Sequence, residues 1–139
     1  MTMKYKTRKA SNLKWLDTFY KNCGYGGKFT PSDIVVYAVD NETPIGVGRL
    51  SLENEVFILR GMQILQKYQG KGIGTTLLNK LIEALPDREC FCLPYTHLLD
   101  FYRKVGFRKC NINEVPRFLK TRLQSYRANK IDVQLLVLR

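Results

Sequence analysis

No apolar run among the 139 residues approaches the ~18 positions that suggest a membrane-spanning helix. The opening stretch, Met1 to Ala10, is polar and basic, with no hydrophobic segment behind it like that of a secretory signal. A cytoplasmic protein is therefore the expectation. Histidine occurs once, at His97, and Cys23, Cys90, Cys92 and Cys110 do not fall at the C-x-x-C spacing of a zinc site. No metal is expected, and the thiols read as buried structural side chains, since free cysteine is among the most buried residue types. Nothing in the sequence orients His97 against Cys90 or Cys92, which argues against a thiol nucleophile. Repeats, low-complexity tracts and Pro- or Gly/Ser-rich linkers are also missing. The chain accordingly reads as one domain over residues 1–139. Acidic residues are few, 12 against 23 Lys and Arg, for a formal net charge of +11. The excess is concentrated at both ends of the chain. Such a surface attracts polyanions at long range, and it fits nucleic acid, an acidic membrane or a phosphorylated cofactor alike.

What is present is an ordinary globular composition, 45% apolar and 25% charged. A chain of this length buries roughly two-thirds of the surface its unfolded form exposes. Lys4 to Lys9 predicts a short strand, and Ser11 a helix N-cap, with Leu13, Leu16, Phe19 and Tyr20 on the apolar face of a helix to about Asn22. Ile34 to Val39 is a continuous β-branched run, expected as a strand covered on both faces. Turns at 40–44 and at Glu53–Asn54 separate it from strands at about 45–52 and from Glu55 to Leu65. Gly61, isolated inside the latter, predicts a bulge or a close backbone approach. Ile73, Leu77, Leu78, Leu81, Ile82 and Leu85 recur at helical spacing until Pro86. Further on, the sequence predicts strands at Arg88–Pro94, Phe107–Asn111 and Ile131–Leu138. It predicts helices at Leu98–Lys104 and 116–127, the latter with Leu119, Leu123 and Tyr126 inward. Alternating strands and helices of this kind give an α/β or α+β fold with a mixed sheet.

The most specific signal is Gln69-Gly-Lys-Gly-Ile-Gly-Thr75, placed where a strand turns into a helix. Glycines at 70, 72 and 74 let successive backbone N–H groups converge on one anion. The helix beginning near Gly72 points its positive end at the same place. Lys67 and Lys71 add charge nearby, so the segment reads as a diphosphate site. A P-loop would need G-x-x-x-x-G-K-S/T, and a dinucleotide fingerprint would need a glycine at position 75. Both spacings fail here.

Gln69–Gly70–Lys71–Gly72–Ile73–Gly74 resembles the central Q/R-x-x-G-x-G/A signature of the GNAT family of N-acetyltransferases. A second segment, Phe101–Tyr102–Arg103–Lys104–Val105–Gly106–Phe107, is similar to that family's F-Y-x-K-x-G-F marker. The two occur in the right order, and the element order agrees from Lys4 to Phe107. Met62 and Ile64 fill the family's apolar positions before the loop, although Gln66 stands where a proline is common. The resemblance implies a central mixed, mostly antiparallel sheet with splayed strands, flanked by helices. It further implies an acyl-CoA-dependent N-acyltransferase, with acetyl-CoA as co-substrate and a small-molecule or peptide amine as acceptor.

On that resemblance the backbone of Met62, Gln63 and Ile64 pairs with the pantetheine arm, one N–H polarising the thioester carbonyl. Gln69, Gly70, Lys71, Gly72, Ile73, Gly74 and Thr75 hold the pyrophosphate, and Tyr102 is the general acid that protonates the leaving thiolate. Two positions depart from the pattern. Tyr95 stands where many members carry asparagine, and Cys90 where some carry a glutamate base. Glu53 and Glu55 are the other carboxylates considered as a base, and Tyr25, Phe29 and Tyr95 the candidate lining of an acceptor pocket. Domains of this family often pair, so a homodimer is compatible with the resemblance; a membrane partner is not expected. Two alternatives stay open: a basic nucleic-acid-binding module, and a non-catalytic acyl-CoA-binding protein of the same fold. Against the first, the chain has no RNP-type aromatic pattern, KH context or zinc spacing.

Overall fold

β-Branched and aliphatic residues concentrate in runs at 34–39, 45–52 and 56–64, and these assemble as strands, as the pattern requires. In the computed structural model, which describes residues 3–86 and 89–139, strands β1 (Met3–Lys9), β2 (Ile34–Asp40), β3 (Thr43–Glu53) and β4 (Val56–Ile64) pair in sequence order. Each pairing is antiparallel. Tight turns at Asn41–Glu42 and Asn54–Glu55, all four residues at positive φ, close the two central hairpins. Val35 to Val39 and Ile45 to Ser51 are buried without a break, so β2 and β3 are covered on both faces.

Helix α1 (Leu16–Asn22) lies in one cluster with β2 and β3. There Leu13, Leu16, Phe19 and Tyr20 meet Val35, Tyr37 and Val47, with Trp15 packed against them. Ser11 is not its N-cap. The amides of Ala10 and Ser11 donate to the carbonyls of Asp33 and Pro31, which holds 10–12 in a 3₁₀ turn and delays the α-helix to Leu16. Helix α2 (Ile73–Glu83) buries Ile73, Leu77, Leu78 and Leu81 and packs on β2, β3 and β4. Burying each such side chain contributes about 1.5–3 kcal/mol. Gly48 allows that approach, because a Cβ there would meet Leu81 and the Met62 sulfur at 2.5 Å.

The residues up to Pro86 form one compact unit and the rest of the chain a second. In the second, β5 (Cys90–Cys92), β7 (Leu136–Leu138) and β6 (Arg108–Lys109) pair antiparallel in that spatial order. All three are shorter than the sequence predicts, and Arg88, the expected start of β5, lies outside the described residues. Residues 131–135 do not enter the ladder. Thr96 N–H bonds Asp132 O, Gln134 N–H bonds Pro94 O, and Tyr95 and Val133 form a single bridge. Helices α3 (Leu99–Arg103) and α4 (Arg117–Ala128) complete the unit, α4 burying Leu119 and Leu123. Seven strands and four α-helices among the described residues make a mixed, mostly antiparallel α/β fold.

Candidate active site

The segment singled out by its glycines joins β4 to α2. After Ile64 the chain makes a 3₁₀ turn over Gln66–Tyr68, then passes through Gly70 and Gly72, at φ +76° and +79°. These left-handed values cost a non-glycine residue about 1–2 kcal/mol. A Cβ built at either position would meet nothing within 4 Å, so the space before the loop is open. Gly72 caps α2 with no side chain on the helix end, and the first helical bond is Thr76 N to Gly72 O (3.1 Å). The N–H groups of Ile73, Gly74 and Thr75 precede that bond and have no intrahelical acceptor.

The Gln69 side chain, though exposed, folds back toward β4. Its amide donates to the Ile64 carbonyl (2.9 Å) and ties the loop back to the end of β4. Lys67 and Lys71 lie with their ammonium groups 5.8 and 5.9 Å from the ring centroid of Tyr68. The Tyr68 hydroxyl donates to Asp40 (2.7 Å), and that carboxylate raises its pKa. An exposed, positively charged loop with unsatisfied backbone donors can hold an anion such as a diphosphate.

Upstream, the expected bulge is present. Val47 pairs with Gln63 and Arg49 with Arg60, so Gly61 and Met62 together face Gly48. Gly61 has φ +66° and its carbonyl accepts from the Tyr20 hydroxyl (2.9 Å). Behind that bond stands Arg49, whose side chain is fully buried and paired with Asp33 at 3.2 Å. Its guanidinium donates to Tyr20 Oη (3.2 Å) and the Lys28 carbonyl (2.9 Å), with a longer contact to Tyr25 Oη (3.5 Å). The rings of Tyr20, Tyr25 and Phe29 surround it at 5.3 to 5.9 Å. Asp33 also accepts from Ser51 Oγ (2.9 Å), Thr30 Oγ1 (2.7 Å) and Thr30 N–H (3.2 Å). Burial pushes the Tyr20 phenol up to about 12, against the opposing pull of Arg49. Burial also disfavours the Arg49 charge, yet Tyr20 and Tyr25 more than offset it and the guanidinium stays protonated. Sequence reasoning missed this network. A single arginine inside an apolar strand, between Val47 and Leu50, is the signal that a buried partner must exist.

In the second unit, Tyr102 is buried on α3 with its ring edge-on to Phe101 and Phe107. Burial, with a smaller contribution from Cys92, raises its phenol well above the ordinary tyrosine range. Among the described residues no side-chain hydrogen bond engages its hydroxyl. Cys90 and Cys92 are buried as expected, whereas Cys23 and Cys110 are only half-buried, and burial holds the Cys92 thiol protonated. His97 is exposed and stacks on Tyr95 at 5.8 Å. The candidate bases are occupied or exposed: Glu53 pairs with Arg60 (3.2 Å) and Glu55 lies in an exposed turn; Glu89, next to Cys90, pairs with Arg139 (2.8 Å). Of the suggested acceptor lining, Tyr25 and Phe29 come together over Arg49, while Tyr95 is exposed in the other unit. Among the described residues no group of three or more His, Cys, Asp or Glu side chains could hold a metal, and no helix is long and apolar enough to cross a membrane.

No curated protein sequence matches the chain. Solved structures do. The chain resembles N-acetylglutamate synthase from Neisseria gonorrhoeae, complexed with coenzyme A and N-acetyl-glutamate, at TM-score 0.74 and 17% identity over 98% of its length. It spans 35% of that protein. It resembles ElaA of Escherichia coli at TM-score 0.69 and 15% identity, covering 99% of this chain and 100% of the other. A third relative, a GNAT family acetyltransferase from Elizabethkingia anophelis with acetyl-CoA bound, matches at TM-score 0.63 and 17% identity, covering 99% and 97%. At these identities the likeness is one of fold. The sequence itself matches the Acetyltransferase (GNAT) family over residues 5–107, from β1 through α3. The chain belongs to that family.

Proposed function

We propose that residues 1–139 act as one GNAT-like domain, an N-acetyltransferase that moves an acetyl group from acetyl-CoA to a primary amine of a small molecule or peptide. The observation that carries this reading is the open, positively charged loop at 69–75, with left-handed glycines and free helix-start donors. Family membership and acetyl-CoA in the Elizabethkingia relative support the choice of diphosphate. The N–H groups of Ile73, Gly74 and Thr75, with Gly70, Lys71 and Gly72, would hold the pyrophosphate. Gln69 serves by fixing the loop to Ile64.

The backbone of Met62, Gln63 and Ile64, just past the bulge, would align the pantetheine arm and stabilise charge on the thioester oxygen. Bound acetyl-CoA supplies an activated acyl carbon. An amine forms the new C–N bond there as the C–S bond breaks. It gives its surplus proton to water, since of the candidate carboxylates Glu53 is already paired with Arg60 and Glu55 lies in an exposed turn. The Tyr102 hydroxyl offers its hydrogen to the developing thiolate and recovers a proton from solvent. Burial keeps that hydrogen in place at any working pH and at the same time makes the phenol a weaker acid than a free tyrosine.

The test is acetyl-CoA-dependent modification of a panel of primary amines, read by product mass and released thiol. Tyr102→Phe should lower transfer about 100-fold and leave acetyl-CoA affinity within twofold of the wild type. Equal transfer by the variant removes Tyr102 from the mechanism. Binding with no transfer to any amine would make the chain a non-catalytic acyl-CoA binder, a reading that the engaged carboxylates favour.

A further inference from the structure

We infer that Arg49 is a positioning residue for the arm-binding strand: acting through Tyr20, it sets the backbone at Gly61 and so the direction of the amides that follow. This rests on the acyltransferase reading of Met62–Ile64. The geometry lies entirely within the first unit. Followed along β4, pairing runs to Arg60 opposite Arg49 and resumes at Gln63 opposite Val47. In the interval Gly61 turns to positive φ and its carbonyl leaves the ladder for the Tyr20 hydroxyl. A Cβ on Gly61 would collide with the Arg49 guanidinium and the Tyr20 oxygen, so these two groups fill the inside of the bulge.

The direction of the bonds follows from the chemistry of the partners. A guanidinium has only donors. The Tyr20 oxygen must therefore accept from Arg49, and its single hydrogen is left for the Gly61 carbonyl. Arg49 cannot rotate away, because Asp33 holds Nε and the Lys28 carbonyl holds Nη2. Asp33 is fixed in turn by Ser51 and Thr30. One buried cation thus ties the 25–33 loop and the bulged strand into a single rigid piece. Among the described residues none of these hydrogen bonds reaches the loop at 69–75, whose side-chain tie to β4 is the Gln69–Ile64 bond, so the network bears first on the arm of the co-substrate and less on its nucleotide end.

That asymmetry is testable without knowing the acceptor amine. Acetyl-CoA and adenosine 3′-phosphate 5′-diphosphate, which lacks the arm, are titrated into the wild type, Tyr20→Phe and Arg49→Lys. Tyr20→Phe keeps the ring and loses the hydrogen donated to Gly61. Arg49→Lys keeps a cation beside Asp33 but cannot reach Tyr20, Lys28 and Asp33 together. Loss of one well-aligned hydrogen bond should weaken acetyl-CoA about fivefold in each variant. The nucleotide fragment should bind each within twofold of wild type. Leu13→Ala, a core truncation in the same cluster as Tyr20 but outside the Arg49 hydrogen bonds, controls for lowered stability and should move neither affinity. Unchanged acetyl-CoA affinity in both variants, or equal loss of both ligands, overturns the positioning role while leaving the acyltransferase reading intact. Failure of the wild type to bind either ligand overturns both.

Discussion

Replacing Arg49 by methionine keeps much of the side chain's length and removes its charge and all its donors. The Asp33 carboxylate is then left 2% exposed and without the cation now 3.2 Å from it. Removing one partner of a buried ion pair costs about 3–5 kcal/mol. Ser51 Oγ, Thr30 Oγ1 and Thr30 N–H still donate to Asp33, which places the cost near the lower end. The Lys28 carbonyl also loses its donor, which adds about 1 kcal/mol. The sum is about 4 kcal/mol, a large share of the 5–15 kcal/mol that stabilises a typical domain. Urea unfolding followed by Trp15 fluorescence reports on the right unit, because the single tryptophan packs against the same core cluster as Tyr20. The midpoint should fall at unchanged slope. Asp33→Asn alone should also destabilise, and the double variant should lose at least about 2 kcal/mol less than the two single losses added together. A loss below about 1 kcal/mol for Arg49→Met, the level of an exposed pair, would refute the argument that this charge is buried and clamped.

The two buried phenols give further predictions. Tyr20 titrates near 12 in the folded chain and near 10 when unfolded. Below pH 10 both states hold the proton; above it the unfolded state loses its proton first, so stability falls as pH rises from 10 to 12. That difference corresponds to about 2–3 kcal/mol, and Tyr20→Phe should lose less stability than wild type over that interval in the same unfolding assay. Tyr102, raised further still by burial, should contribute no alkaline limb to turnover below pH 10. A fall in turnover that Tyr102→Phe abolishes in that range would contradict its placement.

The parts of the site that use backbone chemistry were legible in the sequence. Gly61 announces its bulge because only glycine is cheap at that φ, and Gly70 and Gly72 announce the loop for the same reason. The buried face of α2 follows from period alone. Long-range contacts were not legible. The start of α1 slips from Ser11 to Leu16 because two backbone bonds to Pro31 and Asp33 compete for the first turn. The last strand is cut to Leu136–Leu138 because 132–134 bond instead to 94–96. Asp33, Arg49 and Tyr20 are far apart in the chain, and only the fold brings their charges and hydroxyl together. A lone arginine in a buried strand demands a partner but does not name it.

Whether the loop at 69–75 holds the co-substrate is decided by calorimetric titration of acetyl-CoA into the wild type and Gly72→Val. At φ +79° valine forces the loop out of shape, while its Cβ meets no neighbour, so the fold should persist and the cradle should not. The wild type should bind saturably and the variant at least about tenfold more weakly, with the two unfolding at nearly the same urea concentration. Equal binding by Gly72→Val, or no wild-type binding alongside salt-sensitive binding of a nucleic-acid oligomer, would contradict the assignment of this loop to acetyl-CoA.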